Sequence, residues 1–162
     1  LVLRAPVEAD DEAMSSLWND PATTRFMRNL PGFSEFSLAD VRARRLEETA
    51  GSTAMPLNIY TRDGNAPQQF VGMVRLHHIE RSLSNSCEIG VIMRPKHFAA
   101  GLGREAVHAA LEYMFEEEKI HRVVARTAGD NAVVRGWTER LATFEGVERE
   151  HWTDGQGGYT DV

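Results

Sequence analysis

Apolar and polar positions alternate along this chain in a way that predicts its elements in order. Leu1-Val2-Leu3-Arg4, closed by Pro6, reads as a short strand, and Ala9 to Trp18 as a helix with an acidic front end. Residues 19–36 are irregular, with breakers at Pro21, Pro31 and Gly32 and aromatic rings at Phe26, Phe33 and Phe36. Ser37, with Asp40 behind it, predicts the cap of a second helix ending near Thr49. Leu57–Tyr60 and Gln69–Leu76 flank Asp63-Gly64-Asn65, a hairpin signal. A turn over Arg81 to Asn85 leads into Cys87–Met93, whose apolar, β-branched run predicts a buried central strand.

The second half changes period. Leu102 to Lys119 is helical, with Arg104, Glu105, His108, Glu112 and Glu116 on one face and Ala106, Ala110, Tyr113 and Met114 on the other. His121–Arg126 reads as a strand, Asn131 as the cap of a helix reaching about Leu141, and Val147–Trp152 with Tyr159–Val162 as an antiparallel pair. The predicted plan is α+β, a mixed and mostly antiparallel sheet containing one strand–helix–strand crossover.

Composition narrows the class. The 162 residues predict one domain over 1–162; 42% hydrophobic and 26% charged residues are ordinary for a globular chain. No apolar run approaches the roughly 20 residues of a membrane span. The single Cys87 excludes an internal disulfide and fits a reducing, cytoplasmic setting. The net charge of −6 argues against nucleic acid as a partner and favours a cationic acceptor. Leu1 without a preceding Met, and an end at Val162 inside a predicted strand, read as trimmed termini.

Candidate chemistry centres on Gly101-Leu102-Gly103-Arg104-Glu105-Ala106. Glycines at a helix start let backbone amides approach an anion, and the helix dipole adds positive potential there. The pattern G-x-G-x-x-A is also that of a dinucleotide turn, with Asp130 near the next strand as its ribose acid. Three features reject that alternative: Arg94 to Ala100 intervene after the strand, only one crossover is present, and the earlier strands read as hairpins. The competing structural role is a tight turn that admits close helix–sheet packing. No Walker turn, no G-x-S-x-G elbow, and no H-E-x-x-H or Cys/His spacing occurs, so no metal is expected.

These residues, taken in order, resemble the GNAT acetyltransferase superfamily along nearly the whole chain. Phe98-Ala99-Ala100-Gly101-Leu102-Gly103 is similar to its Q/R-x-x-G-x-G/A signature, and Glu88-Ile89-Gly90-Val91-Ile92-Met93-Arg94-Pro95 resembles its fourth strand. Asn131 sits where the family begins its fourth helix with an asparagine. The segments LRAPVEADDEAM and WNDPATTRFM, with Gly157-Gly158-Tyr159-Thr160-Asp161-Val162, resemble the ribosomal-protein N-terminal and polyamine acetylating subgroups.

The resemblance implies acetyl-CoA as donor, no metal, and an amine acceptor: a peptide N-terminus, a polyamine or a small amine. Phe98, Ala99, Ala100, Gly101, Leu102, Gly103 and Arg104 would cradle the pyrophosphate. Val91, Ile92 and Met93 would carry the pantetheine arm, and Asn131 would join the cofactor site. The family's strand is bulged and splayed, and Gly90 is the expected place of distortion. Glu88 is the leading base, its competing role being an ion pair with Arg75; His77 and His78, expected to end the neighbouring strand, are lesser candidates. Tyr159 is the candidate acid.

Several positions depart from the family. Phe98 replaces Gln or Arg, Val134 and Thr138 stand where relatives carry Ser or Tyr, and Leu141–Gly146 lacks the usual Gly-Phe. These leave a second class open, a non-catalytic acyl-CoA sensor. Membrane partners are not expected, and a homodimer through C-terminal edge pairing remains an alternative the sequence does not show.

Overall fold

Alternate residues of one central strand feed two separate cores. The computed structural model describes residues 1–27, 35–62, 68–153 and 158–162. In it, β3 (Phe70–Glu80) lies between β2 (Ala54–Tyr60) and β4 (Ser86–Met93). Val74 and Leu76 face α4 (Leu102–Glu116), packing with Ala106, Val107, Ala110 and Met114. Met73 points the other way, joining Tyr60, Phe70, Met14, Leu17 and Trp18 from α1 (Asp11–Trp18), and Val41 from α3 (Leu38–Ala50). The period-2 alternation of a strand thus produces helices on both faces of the sheet.

The sheet is completed by β1 (Val2–Arg4) beside β2 and β5 (Arg122–Val124) beside β4, in the order β1-β2-β3-β4-β5. Every pairing is antiparallel except β4–β5, which is parallel and spanned by α4. The mixed α+β plan and its single crossover are therefore present. Ser37 caps α3: its Oγ accepts from the Asp40 amide at 3.2 Å while Asp40 Oδ2 accepts from the Ser37 amide at 3.0 Å.

The elements differ from expectation mainly at their ends. β3 runs past Leu76 through both histidines to Glu80, because a register shift between His77 and Glu80 lets the strand continue. Helix α4 stops at Glu116, and Lys119 takes φ 54, which a helix cannot contain. In the segment expected to be irregular, Asp20 caps a short α2 (Pro21–Thr24) by accepting from the Ala22 amide at 2.9 Å. α5 (Ala132–Thr138) ends short of Leu141. The C-terminal pair exists as β6 (Trp152–Thr153) and β7 (Tyr159–Thr160), forming their own two-stranded ribbon. Pro31, Gly32, Phe33, the hairpin turn Asp63-Gly64-Asn65 and Gly157 lie outside the described residues.

Candidate functional site

β4 loses its neighbour halfway along. Its parallel pairing with β5 covers only Ser86↔Arg122, Cys87↔Val123 and Glu88↔Val124, whereas β4 continues to Met93. On its other edge the pairing to β3 is unbroken from Glu88 to Met93. The Arg94 amide donates to Val71 O at 2.9 Å, toward β3. Alternation then turns the amides of Val91 and Met93 to the edge that β5 has left. Thr23 Oγ1, from α2, reaches the Met93 carbonyl there at 3.3 Å. The expected splay is present, but the expected distortion at Gly90 is not: Gly90 pairs regularly with Arg75, and the bulge lies in β3 instead.

β4 leads through a 3-10 turn (Pro95–His97) to the glycine turn. Ala99 and Gly101 both take positive φ, 59 and 77. Gly101 is the N-cap of α4 and supplies no side-chain hydrogen bond, so the first-turn amides of the helix lack a side-chain acceptor from their cap. The two glycines do different work. A Cβ on Gly101 meets open space but a strained φ; one on Gly103 would lie 3.4 Å from Met93 Cγ and 3.6 Å from its Sδ. Gly103 therefore has the helix–sheet packing role, and Gly101 the turn role. Phe98, Ala99, Ala100 and Arg104 are exposed around this turn; Leu102, Val91, Ile92 and Met93 are half-buried.

Glu88 stands where the two strands part. Its carboxylate is buried, and Oε2 accepts from Arg126 Nη1 at 2.6 Å. Arg126 also binds Glu148 at 3.2 Å. Oε1 lies 3.6 Å from His77 Nε2, and Oε2 lies 3.5 Å from His78 Nδ1. The anticipated Arg75 partner is absent: Arg75 faces Gly90 in register and binds Glu48 at 2.8 Å. Burial pushes the His77 imidazole down to about 4, with Glu88 opposing the shift and Arg75, His78 and Arg126 adding to it. Gly90 leaves space beside this cluster, since a Cβ there would touch nothing. Cys87, adjacent on the strand, is buried, and burial pushes its thiol up to about 11, so it is not a thiolate nucleophile.

The other candidates lie on other elements. Tyr159 is 68% exposed on the β6–β7 ribbon, while Glu88 belongs to the main sheet. Thr138 donates its hydroxyl to Val134 O at 2.9 Å, within α5. Asn131 caps α5 as expected, accepting from the Val134 amide at 3.3 Å and donating to Thr127 Oγ1 at 3.0 Å. Trp18 packs edge-on against Phe36 at 5.4 Å and donates to Met73 Sδ at 3.3 Å, so this aromatic pair serves the core. Sequence reasoning missed Arg126 and the bulge at His78; neither carries a local signal.

Residues 1–142 match the family model described as Acetyltransferase (GNAT) domain. Among solved structures, the chain is similar to spermidine N-acetyltransferase from Vibrio cholerae in complex with CoA and spermine. The TM-score is 0.85 at 20% identity, over 99% of this chain and 90% of that one. It is also similar to a probable acetyltransferase, with TM-score 0.77 at 20% identity over 98% and 87%. With the splayed strand, the glycine turn at a helix start and the family match in agreement, the chain belongs to the GNAT acetyltransferase family and is an N-acetyltransferase.

Proposed function

We propose that the protein transfers acetyl from acetyl-CoA directly to a primary amine, both substrates being bound together. The observation that carries this reading is the ending of β4–β5 pairing at Glu88↔Val124, while β4 runs on into an amide-lined helix start. In this reading the pantetheine lies along Val91, Ile92 and Met93. The pyrophosphate rests on the amides of residues 99–104, the Phe98 amide being held by the Pro95 carbonyl at 3.0 Å, and Arg104 adds charge. The Val91 amide, turned to the gap, polarises the thioester carbonyl and stabilises the oxyanion.

Glu88 takes the proton of the attacking amine, directly or through water, and Gly90 leaves room for that nitrogen. As the C–N bond forms the C–S bond breaks, and CoA leaves as a thiolate that is protonated from solvent. Alignment contributes about 7–11 kcal/mol to such a step, and a base about 10²–10⁴-fold. Direct transfer is favoured over an acetyl-cysteine intermediate because Cys87 is buried and protonated. The acceptor is a cationic amine, a polyamine ahead of a peptide N-terminus or small monoamine. The net charge of −6 and the spermine bound by the Vibrio cholerae enzyme support that order.

The test is thermal stabilisation of the full chain by CoA and acetyl-CoA, followed by thiol release with a panel of polyamines, peptides and monoamines. Stabilisation with acceptor-dependent release is expected. No stabilisation by either cofactor overturns the reading. Stabilisation without turnover on any amine replaces it by an acyl-CoA sensor, a reading favoured by Thr138 being tied to its own helix.

A further inference from the structure

Two consecutive histidines of β3 approach the same carboxylate. Neighbouring side chains on a regular strand point to opposite faces, so His77 and His78 should diverge. They do not, because an extra residue is inserted between the pairs His77↔Glu88 and Glu80↔Ser86, and His78 takes φ 51. A bulge re-aims side chains in this way, and a left-handed conformation at a residue other than glycine costs on the order of 1 kcal/mol. The two imidazoles meet with centroids 4.5 Å apart at 65°.

The donor atoms are spaced for a metal. His77 Nε2 and His78 Nδ1 lie 3.6 and 3.5 Å from the oxygens of Glu88, and the ligand atoms all fall within 4.8 Å of one another. A four-coordinate ion with bonds of about 2.0–2.2 Å holds its ligand atoms roughly 3.4 Å apart. We propose that His77, His78 and Glu88 form a binding site for a divalent transition ion of the zinc class, with water in the fourth position. Two imidazoles and one carboxylate suit zinc or cobalt better than magnesium or calcium.

The surroundings fit that assignment. The His78 side chain is 78% exposed and gives the ion an entry path, while those of His77 and Glu88 are only 17% and 12% exposed. Arg126 donates to Glu88 Oε2, as ligating carboxylates are commonly hydrogen-bonded, and Glu148 offsets its charge. The sequence reading expected no metal because the ligands follow no spacing rule; the bulge makes the cluster. An ion there would occupy the carboxylate assigned to proton transfer. That consequence alone rests on the transferase reading.

The test is titration of the metal-free full chain with Co²⁺, followed by its visible d–d absorption. One equivalent should bind with the intense bands of four-coordinate cobalt, and Zn²⁺ should displace it. His77→Gln and His78→Asn should each weaken binding by about tenfold or more, comparable with losing an outer-shell partner of a metal site. Asn tolerates the left-handed backbone, so His78→Asn keeps the bulge, and far-ultraviolet circular dichroism checks both folds. Absent stoichiometric binding, or equal affinity in both folded variants, overturns the site. Because the readout is spectroscopic, an inactive protein would count against the transferase reading and not against the metal site.

Discussion

Glu88 is a buried carboxylate approached by Arg126, His77 and His78. Arg126 at 2.6 Å meets its charge, so no buried charge is left unpaired; the proposed base role is tested on this carboxylate. Glu88→Gln keeps the shape and an acceptor for Arg126 but removes the basic group. Turnover with any accepted amine should fall by about 10²-fold or more, while stabilisation by CoA is retained. Initial rates alongside a CoA melting shift check this; an unchanged rate removes Glu88 as base. Its position on the strand was legible in the sequence, but its partner was not. Arg126 is 38 residues away and arrives only because β5 pairs in parallel with β4, setting Val124 beside Glu88. The same limit hid the bulge at His78, though not the residue itself: a bulge is set by the pairing of two strands, not by one residue's neighbours.

At the scale of elements, the junction of β4 and α4 separates two roles that one sequence pattern had merged. The sequence offered G-x-G either as an anion turn or as a packing device, and the structure divides the pair. Gly101, at φ 77, sets the turn; Gly103 lets α4 settle against Met93 and Val91. Gly101→Ala should cost on the order of 1 kcal/mol through its backbone and weaken CoA binding by redirecting the first-turn amides. Gly103→Ala adds a methyl at 3.4–3.6 Å from flexible Met93 atoms and should be tolerated, whereas Gly103→Val should cost about 1–3 kcal/mol by overpacking. Thermal melting with and without CoA separates the cases. If Gly101→Ala melts and binds as the parent does, the turn role fails. Helix and strand cores were legible because their apolar periods are long. Ends such as Glu116 and Thr138 were not, since they depend on where a neighbouring element stops supporting them.

At the scale of the whole molecule, a buried carboxylate at the start of α1 ties the N-terminal helical layer to the sheet, alongside the Glu48–Arg75 pair from α3 to β3. Asp10, only 4% exposed, accepts from Arg4 Nη1 and Nη2 at 2.8 Å, the Val7 amide at 2.8 Å, Asn58 Nδ2 at 3.2 Å and Tyr60 Oη at 2.5 Å. The sequence presented Asp10 merely as part of an acidic helix front. Its partners on β2 lie 48 and 50 residues along the chain, and only the closed sheet unites them.

Burial by itself would raise the carboxyl pKa of Asp10, but the bonds from Arg4, Tyr60 and Val7 outweigh it and hold the group at about 2. A carboxyl depressed on folding stabilises above its unfolded value and loses that contribution as pH falls toward the folded one. The network should therefore lose on the order of 1–2 kcal/mol between about pH 4 and pH 2. Tyr60 gives the opposite edge: burial and the bond to Asp10 push its phenol up to about 12. Its neutral form is favoured in the fold, so this contribution is complete below about pH 10 and disappears as pH rises through the folded value. Urea unfolding of the parent should show both edges. Tyr60→Phe should flatten the alkaline edge and keep the acid one, because Arg4 still binds Asp10. Asp10→Asn should lower stability at neutral pH and weaken both. An acid edge of equal depth in Asp10→Asn would show that another carboxylate, and not this fastening, governs acid unfolding.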